Sequence, residues 1–305
     1  MKIAILHHDL EVSELKIKEL LEEKGFEVEL LDVREINIKE LEIFSIILNR
    51  VYACVSKKDY LSIEKTLLLL KQMQEKEIFC IDSYETSLYN YSKFHSYKIM
   101  HENGILTPKT ILINENEEIN KTCEGLIKRI GFPIVLKRNT GGKGENIVKV
   151  ISKQELKQNL IKEFEIAKKE NYFGGFIAQE FIKSSKNYDC RISVFDDRVI
   201  SCISRNLIKY KSEDNWLASI SKGSISQKYF PSKEIINLAF KTTKVINAIF
   251  NSLDIIISDK GPIVIENNLT PQYIMVKGKN KNLIKLVEKI SEKAKNLILI
   301  RNQNF

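Results

Sequence analysis

The sequence predicts a mixed α/β protein that begins with a parallel α/β lobe and ends with a lobe of antiparallel strands. Short apolar runs alternate with amphipathic helices over roughly the first 90 residues, which is the pattern of a parallel sheet covered on both faces. From about residue 176, pairs of strands joined by tight turns dominate instead. A segment with a Gly-rich turn separates these two parts.

The first lobe, predicted to span residues 1–90, is built from four short apolar runs. The predicted strands are 2–6, 26–31, 44–48 and 78–81, and the predicted helices are 11–24 and about 58–75. Apolar residues recur along the first helix at roughly helical spacing, and Gly25 is typical of the residue that ends a helix.

Two further lobes are predicted at 91–172 and 173–305. The first of these has helices at 92–104, 116–130 and 153–169 and strands at 110–113, 132–137 and 147–150. The second has strands at 176–182, 188–195, 199–205, 253–258 and 263–266 and helices at 232–250 and 282–296. Asp259-Lys260-Gly261 is typical of a hairpin turn.

Composition and charge indicate a cytoplasmic protein. The N-terminal apolar run is too short for a signal peptide or a membrane span, and five scattered cysteines indicate reduced thiols. Lysines alternate with acids along the predicted helices, so the net charge of +8 is mostly a solvated face; attraction of an anionic substrate is the alternative. Neither a nucleic acid nor a membrane is expected as a partner, and a homo-oligomer is compatible with the sequence.

The C-terminal hairpin gathers three oxygen-bearing side chains. Glu266 and Asn268 lie two residues apart at the end of one strand, so they share a side of it, and the turn brings Asp254 opposite them. Such oxygens are ligands that Mg²⁺ prefers, often together with nucleotide phosphates. The pattern predicts a magnesium site, with acids that simply face water as the alternative.

A Gly-rich turn follows Lys137, which ends a predicted strand. Gly141, Gly142 and Gly144 would let backbone N–H groups approach phosphates closely, and the lysine supplies positive charge. The segment matches neither a Walker A loop nor the dinucleotide fingerprint. An ordinary hairpin turn is the alternative.

A strand edge next to a charged strand is the third signal. The edge consists of Gln179, Glu180, Phe181 and Ile182. Its backbone groups, with the neighbouring Asp189, are suited to hold an adenine and a ribose. Arg191 and Arg205 lie on paired strands and are predicted to face a shared anion, with a surface ion pair as the alternative.

Four segments, in this order and spacing, resemble the RimK-like ATP-grasp ligases. They are Lys93 with GILTPKT, then FPIVLKRNTGGKGENI, AQEFIKSSKNYDCRISV and LDIIISDKGPIVIENN, and they cover about residues 90–275. The resemblance implies an ATP-grasp fold with an N-terminal α/β lobe, a central lid lobe and a C-terminal lobe that carries the metal site. Agreement of four motifs also strengthens the magnesium prediction.

The resemblance also implies residue roles. Lys93 and Lys137 would contact ATP phosphates, Glu180 would bind the adenine amino group, Asp189 would hold the ribose, and Arg205, with Arg191 beside it, would stabilise the transferring phosphoryl group. Asp254, Glu266 and Asn268 would bind two Mg²⁺ ions, with Mn²⁺ as an alternative. The implied reaction joins a carboxylate to an amine through an acyl-phosphate, with ATP, an amino acid such as glutamate, and a peptide, carrier protein or small cofactor as partners.

Two positions depart from the family pattern. Leu217 and Ser219 stand where an Arg and an Asn are typical, which implies another substrate or lost turnover, with Lys222 as a compensating cation. Arg50, after the third predicted strand, is a further candidate for binding a substrate carboxylate; an exposed arginine is the alternative. An ATP-binding module without turnover is the alternative function, and an unrelated Rossmann-type enzyme fails to explain the C-terminal hairpins.

Overall fold

The computed structural model describes residues 1–54, 59–273 and 280–303. Within these ranges the chain forms a four-stranded sheet, a second four-stranded sheet, a five-stranded sheet and a two-stranded ribbon. The first sheet is parallel and the five-stranded sheet of the C-terminal part is antiparallel, as predicted. The second four-stranded sheet is also antiparallel, for which no prediction was made. The order of a parallel lobe followed by antiparallel sheets is therefore confirmed.

The first lobe has strand order β2-β1-β3-β4. Its elements are β1 Lys2–His7, α1 Val12–Glu22, β2 Glu27–Asp32, α2 Ile38–Leu41, β3 Ile46–Asn49, α3 Leu61–Glu75, β4 Cys80–Ile81 and α4 Tyr84–Tyr91. The predicted start of α3 at Lys58 lies outside the described residues. Helix α4 was not predicted; it begins after Ser83, whose hydroxyl accepts a hydrogen bond from Thr86 N at 3.3 Å.

The second lobe has strand order β5-β8-β6-β7. Its elements are α5 Lys93–Glu102, β5 Thr110–Ile113, α6 Ile119–Arg129, β6 Ile134–Arg138, β7 Ile147–Val150, α7 Lys153–Lys169 and β8 Phe176–Glu180. Strand β8 lies in the middle of this sheet, with Ala178 opposite both Ile111 and Leu136. The second lobe therefore extends past the predicted boundary at residue 172, because β8 pairs with the strands before it.

The third lobe has strand order β13-β10-β9-β14-β15. Its elements are β9 Tyr188–Phe195, β10 Arg198–Asn206, β11 Ile208–Lys209, β12 Asn215–Leu217, a 3-10 turn Ile220–Lys222, β13 Ser226–Lys228, α8 Lys233–Val245, β14 Phe250–Ser258, β15 Gly261–Asn268 and α9 Lys281–Gln303. Helix α8 ends before residue 250, where it was predicted to end, because Phe250 already pairs with Phe195 of β9. The short strands β11, β12 and β13 were not predicted.

Helix α9 fastens the third lobe to the first. Its buried residues Leu283, Val287 and Ile290 belong to the same apolar cluster as Ile3 and Ile5 of β1. Burial of apolar surface stabilises such contacts by about 25 cal/mol per Å². The first and third lobes therefore share a core, and another apolar cluster joins the first lobe, through Met73, to Leu126 and Leu136 of the second.

Two expectations about the whole chain are tested by the described residues. None of the described helices is both long enough and apolar enough to cross a bilayer. All five cysteines are free thiols, as predicted.

Candidate active site

A cleft of about 440 Å³ lies between the second and third lobes and reaches the first lobe. Every residue predicted to bind nucleotide, metal or the transferring phosphoryl group lines this cleft, whereas Arg50 and Lys222 do not. The described structure therefore brings residues from β6, β8, β9, β10, β14, β15 and α5 to one surface.

Two arginines and two aspartates form a buried ion network on the cleft side of the third sheet. The strand register places Asp189 opposite Arg205 and Arg191 opposite Asp254. Arg191 donates from Nε and Nη2 to the two Asp254 carboxylate oxygens at 2.7 and 2.8 Å. Arg205 Nη2 lies 2.8 Å from Asp254 Oδ2, and its Nε donates to Asp189 Oδ1 at 2.9 Å. The anion that both arginines face is thus Asp254.

This network keeps Asp254 charged. Burial opposes ionisation of its carboxyl group, yet Arg191 and Arg205 together hold the pKa of Asp254 well below its usual range. Asp189 is only 4% exposed and is engaged by Arg205, so its carboxylate positions an arginine at the cleft wall. Contact of Asp189 with a ribose stays a prediction.

The predicted metal ligands meet across the last hairpin. Asp254 lies directly opposite Glu266, and Asn268 lies two positions further along, opposite Ser252. Lys93 at the start of α5 places its Nζ 3.2 Å from Glu266 Oε1 and also donates to the Gly141 carbonyl.

The oxygen atoms of Asp254, Glu266 and Asn268 suit a hard cation that also binds a second ligand, such as a nucleotide phosphate. No cluster of three or more His, Cys, Asp or Glu side chains suited to a metal occurs in the part of the chain that the structure describes. Two carboxylates and one amide therefore supply only part of a coordination shell. Mg²⁺ commonly takes few protein ligands and completes its shell with waters and phosphate oxygens.

Lys137 is a buried cation without a carboxylate partner in ion-pair distance among the described residues. Its side chain on β6 is 8% exposed, and Nζ donates to the Tyr97 hydroxyl at 3.0 Å. Burial lowers the pKa of the Lys137 ammonium, and the negative charges of Glu266 and Asp254 only partly oppose this shift. A desolvated ammonium that faces a cleft is suited to bind an anion.

The Gly-rich loop, residues 139–146, closes one side of the cleft and follows β6. Gly144 has φ +68°, and a Cβ there would lie 3.0 Å from Ser219 Oγ of the third lobe. A Cβ on Gly142 would lie 3.3 Å from Cys54 Cβ of the first lobe. The loop therefore needs glycine at these close approaches and contacts both neighbouring lobes.

An apolar compartment adjoins the strand edge of β8. Sequence reasoning missed its walls, which include Val135, Ile147, Leu207, Trp216 and Ile256. Val135, Ile147 and Ile256 look like ordinary interior positions of predicted strands, and Leu207 and Trp216 lie where no strand was predicted, so the sequence did not mark them as a ligand compartment. Together with the edge at Gln179, Glu180, Phe181 and Ile182, they make a site suited to a flat heteroaromatic ring.

A family model described as the RimK-like ATP-grasp domain matches residues 90–292. The chain belongs to the RimK-like ATP-grasp family. A tetrahydromethanopterin:alpha-L-glutamate ligase of Methanocaldococcus jannaschii is 33% identical over 212 residues, which cover 67% of each protein. A probable alpha-L-glutamate ligase of Trichodesmium erythraeum is 27% identical over 282 residues, 89% of each protein.

The crystal structure of D-alanine–D-alanine ligase from Bacillus anthracis complexed with ATP superimposes on this RimK-like chain with a TM-score of 0.69. The identity is 16%, and the match covers 100% of this chain and 99% of that one. This likeness confirms the predicted ATP-grasp fold. Together with the family match and the ligase relatives, it identifies the chain as an ADP-forming, ATP-dependent ligase.

Arg50 in this RimK-like ligase is an interior residue, not a substrate contact. It is 1% exposed, and its Nε donates to Glu14 Oε1 at 3.0 Å. Its Nη2 donates to the Tyr52 hydroxyl at 3.2 Å and to the Pro271 carbonyl at 2.8 Å. The predicted role is therefore wrong for this conformation, because Glu14 already neutralises the guanidinium and the first lobe buries it.

Lys222 also lies away from the cleft, with its Nζ 6.0 Å from the centre of the Tyr210 ring. It is therefore not placed to compensate for Leu217 and Ser219. Leu217 is buried beside Val135 and Trp216, so that position offers no cation to a ligand.

Glu11 and Tyr97 were missed by sequence reasoning. Glu11 Oε1 lies 3.4 Å from Lys143 Nζ, and its other oxygen accepts from Gln272 Nε2, so it links the Gly-rich loop to the cleft rim. Tyr97 donates to the Ile265 carbonyl and accepts from Lys137. Each is one polar residue of a helix or its cap, and no spacing pattern marked it.

Proposed function

We propose that this chain is a carboxylate–amine ligase that adds an amino acid such as glutamate to a peptide, a carrier protein or a small cofactor. The observation that carries the proposal is that Lys137, a buried cation without an ion-pair partner among the described residues, lies in one cleft with Asp254, Glu266 and Asn268. The glutamate ligases among the relatives support the choice of amino acid.

The proposed nucleotide site divides the cleft between two kinds of contact. The apolar compartment and the β8 edge take the adenine, and Glu180 accepts a hydrogen bond from its amino group in this proposal. Lys93 and Lys137 take the phosphates, and the backbone N–H groups at Gly141, Gly142 and Gly144 are available to the same oxygens. Mg²⁺, or Mn²⁺ in its place, would be held by Asp254, Glu266 and Asn268 and would neutralise phosphate charge when bound.

The chemistry that this site supports has two displacements. An oxygen of the substrate carboxylate attacks the γ-phosphorus of ATP, the bond to the bridging oxygen breaks, and ADP leaves. The amine then attacks the carbonyl carbon of the acyl-phosphate, inorganic phosphate leaves with the bonding electrons, and the amine loses a proton. Lys137 lowers the energy of the first step by facing the charge on the moving phosphoryl group, and Arg191 and Arg205 add positive charge to the same cleft while they hold Asp254.

Water competes with the amine for the acyl-phosphate, so the site must exclude it during the second displacement. The Gly-rich loop lies over the cleft and contacts the first and third lobes, which supports a role for this loop as a lid.

The test is formation of ADP and inorganic phosphate with a panel of amino acids and acidic acceptors, using Glu266→Gln as the matched inactive variant. Acceptor-dependent ADP release by the wild-type protein, absent from the variant, would support the proposal. Leu217 and Ser219 favour the alternative of an ATP-binding module without turnover. Binding of magnesium–ATP with no ADP from any substrate pair would favour that alternative.

A further inference from the structure

The segment 217–221 contacts the Gly-rich loop at one backbone group, the carbonyl of Lys143. Ser221 Oγ donates to this carbonyl at 2.7 Å, and Ser219 Oγ donates to it at 3.3 Å. The two hydroxyl oxygens lie 3.0 Å apart. A carbonyl oxygen has two lone pairs and is able to accept both bonds.

Hydrogen bonds within a closed turn fix the conformation of the segment that carries the two serines. Ser219 N donates to Ser224 Oγ at 2.9 Å, and Ser224 N donates back to Ser219 O at 3.0 Å. Gly223 allows the turn to close because it adopts φ +109°. Since the turn is already ordered, little conformational entropy is lost when the hydroxyls meet the loop.

The loop also fits closely against this segment. At Gly144 a Cβ would lie 3.0 Å from Ser219 Oγ and 3.6 Å from Leu217 Cδ2. On the opposite side, Lys143 Nζ lies 3.4 Å from Glu11 Oε1 of the first lobe. The tip of the loop is thus held from two sides by the third and first lobes.

We propose that Ser219 and Ser221 are positioning residues that hold the Gly-rich loop closed over the bound nucleotide. The proposal rests on the nucleotide site of the proposed function. It also assigns a role to Leu217 and Ser219, which stand where the family has an Arg and an Asn. Leu217 packs against the loop, and Ser219 holds it by a hydrogen bond. Loss of the two hydroxyls opens the loop more often, so a bound nucleotide leaves faster while its association rate is unchanged.

The experiment compares the wild-type protein with the double variant Ser219→Ala/Ser221→Ala, using the magnesium complex of adenylyl imidodiphosphate. Its dissociation rate is followed by displacement with excess ATP, and loop opening by tryptic cleavage after Lys143 in the presence of the analogue. Two neutral hydrogen bonds together account for a rise of roughly tenfold in the dissociation rate. Cleavage after Lys143 rises with it, and the thermal midpoint of the nucleotide-free protein stays the same.

Three further variants separate this role from a structural one. Ser221→Thr keeps the hydroxyl and is expected to retain wild-type dissociation. Ser226→Ala removes an exposed serine of β13 and is expected to change nothing. Ser221→Ala alone, at an exposed position, is expected to raise the rate about threefold even if the double variant folds poorly.

A dissociation rate within twofold of wild type in both the double variant and Ser221→Ala, with unchanged cleavage after Lys143, would overturn the positioning role and leave the proposed function standing. Failure of the wild-type protein to bind the nucleotide complex would overturn the proposed function, and the positioning role with it.

Discussion

Lys137→Met separates the binding role of the buried lysine from any role in stability. The described residues that line the cleft include six cationic and five anionic side chains, namely Lys93, Lys137, Arg138, Lys143, Arg191 and Arg205 with Glu145, Glu180, Asp189, Asp254 and Glu266. Replacing Lys137 by an apolar side chain of similar length balances these charges and removes a desolvated ammonium. Tyr97 still donates to the Ile265 carbonyl, so its hydroxyl keeps a partner. We therefore expect the nucleotide-free variant to be at least as stable as the wild-type protein.

Nucleotide binding is expected to change in the opposite direction. A hydrogen bond to a charged group contributes about 1.5–3 kcal/mol, and a loss of about 2 kcal/mol weakens binding about 30-fold. At a nucleotide concentration 100 times the wild-type Kd, ligand binding stabilises the wild-type protein by about 2.7 kcal/mol. At the same concentration the variant would gain only about 0.9 kcal/mol.

Isothermal titration with magnesium–adenylyl imidodiphosphate and urea unfolding with and without it measure both quantities. Lys128→Met, an exposed lysine of α6, is the matched control for the same change of charge. Nucleotide affinity of Lys137→Met within twofold of wild type would refute the phosphate role. A large loss of stability in the nucleotide-free variant would refute the argument from burial.

Three other perturbations have distinct expected results. Glu266→Gln should abolish metal-dependent ADP formation while the urea midpoint stays close to that of wild type; ADP formation at a normal rate would remove Glu266 from the metal site. Arg50→Met leaves the fully buried Glu14 carboxylate without its cation and should lower the free energy of unfolding in urea by about 3–5 kcal/mol. The nucleotide affinity of the folded protein should not change. A small loss of stability would show that the pair is not buried. Burial raises the pKa of Asp82 to about 7. Between about pH 4 and 7 the folded protein therefore keeps a proton on Asp82 that the unfolded chain has lost. The contribution of Asp82 to stability is full below about pH 4 and is lost as the pH rises through 7. Asp82→Asn keeps the hydrogen-bond acceptor for Ile249 N but does not titrate. It should therefore remove up to roughly 4 kcal/mol from the change in the free energy of unfolding between about pH 4 and 7. Matched urea melts at about pH 5 and pH 8 would detect this difference.

Local patterns in the sequence were sufficient to predict the last hairpin. Strand periodicity fixed the shared side of Glu266 and Asn268, and a short turn fixed Asp254 opposite Glu266. The same reasoning did not assign β8 to its sheet, because an isolated apolar run carries no information about which strands it pairs with.

Partners distant in sequence explain the failures within the site. Arg50 and a cleft arginine look alike after a strand, and only folding brings Glu14 to one of them. Arg191 and Asp254 are 63 residues apart in the chain, so the engagement of the predicted metal ligand by two arginines had no sequence signal. Arg205 completes that pairing through the register of β9 with β10 and β14.

A crystal structure of the protein with magnesium and adenylyl imidodiphosphate tests the central claim most directly. The account predicts a metal ion about 2.0–2.1 Å from oxygens of Asp254, Glu266 and Asn268, with Lys137 Nζ in hydrogen-bond distance of a phosphate. A nucleotide bound in this cleft without contact to Glu266 or Lys137, or bound at another surface, would contradict it.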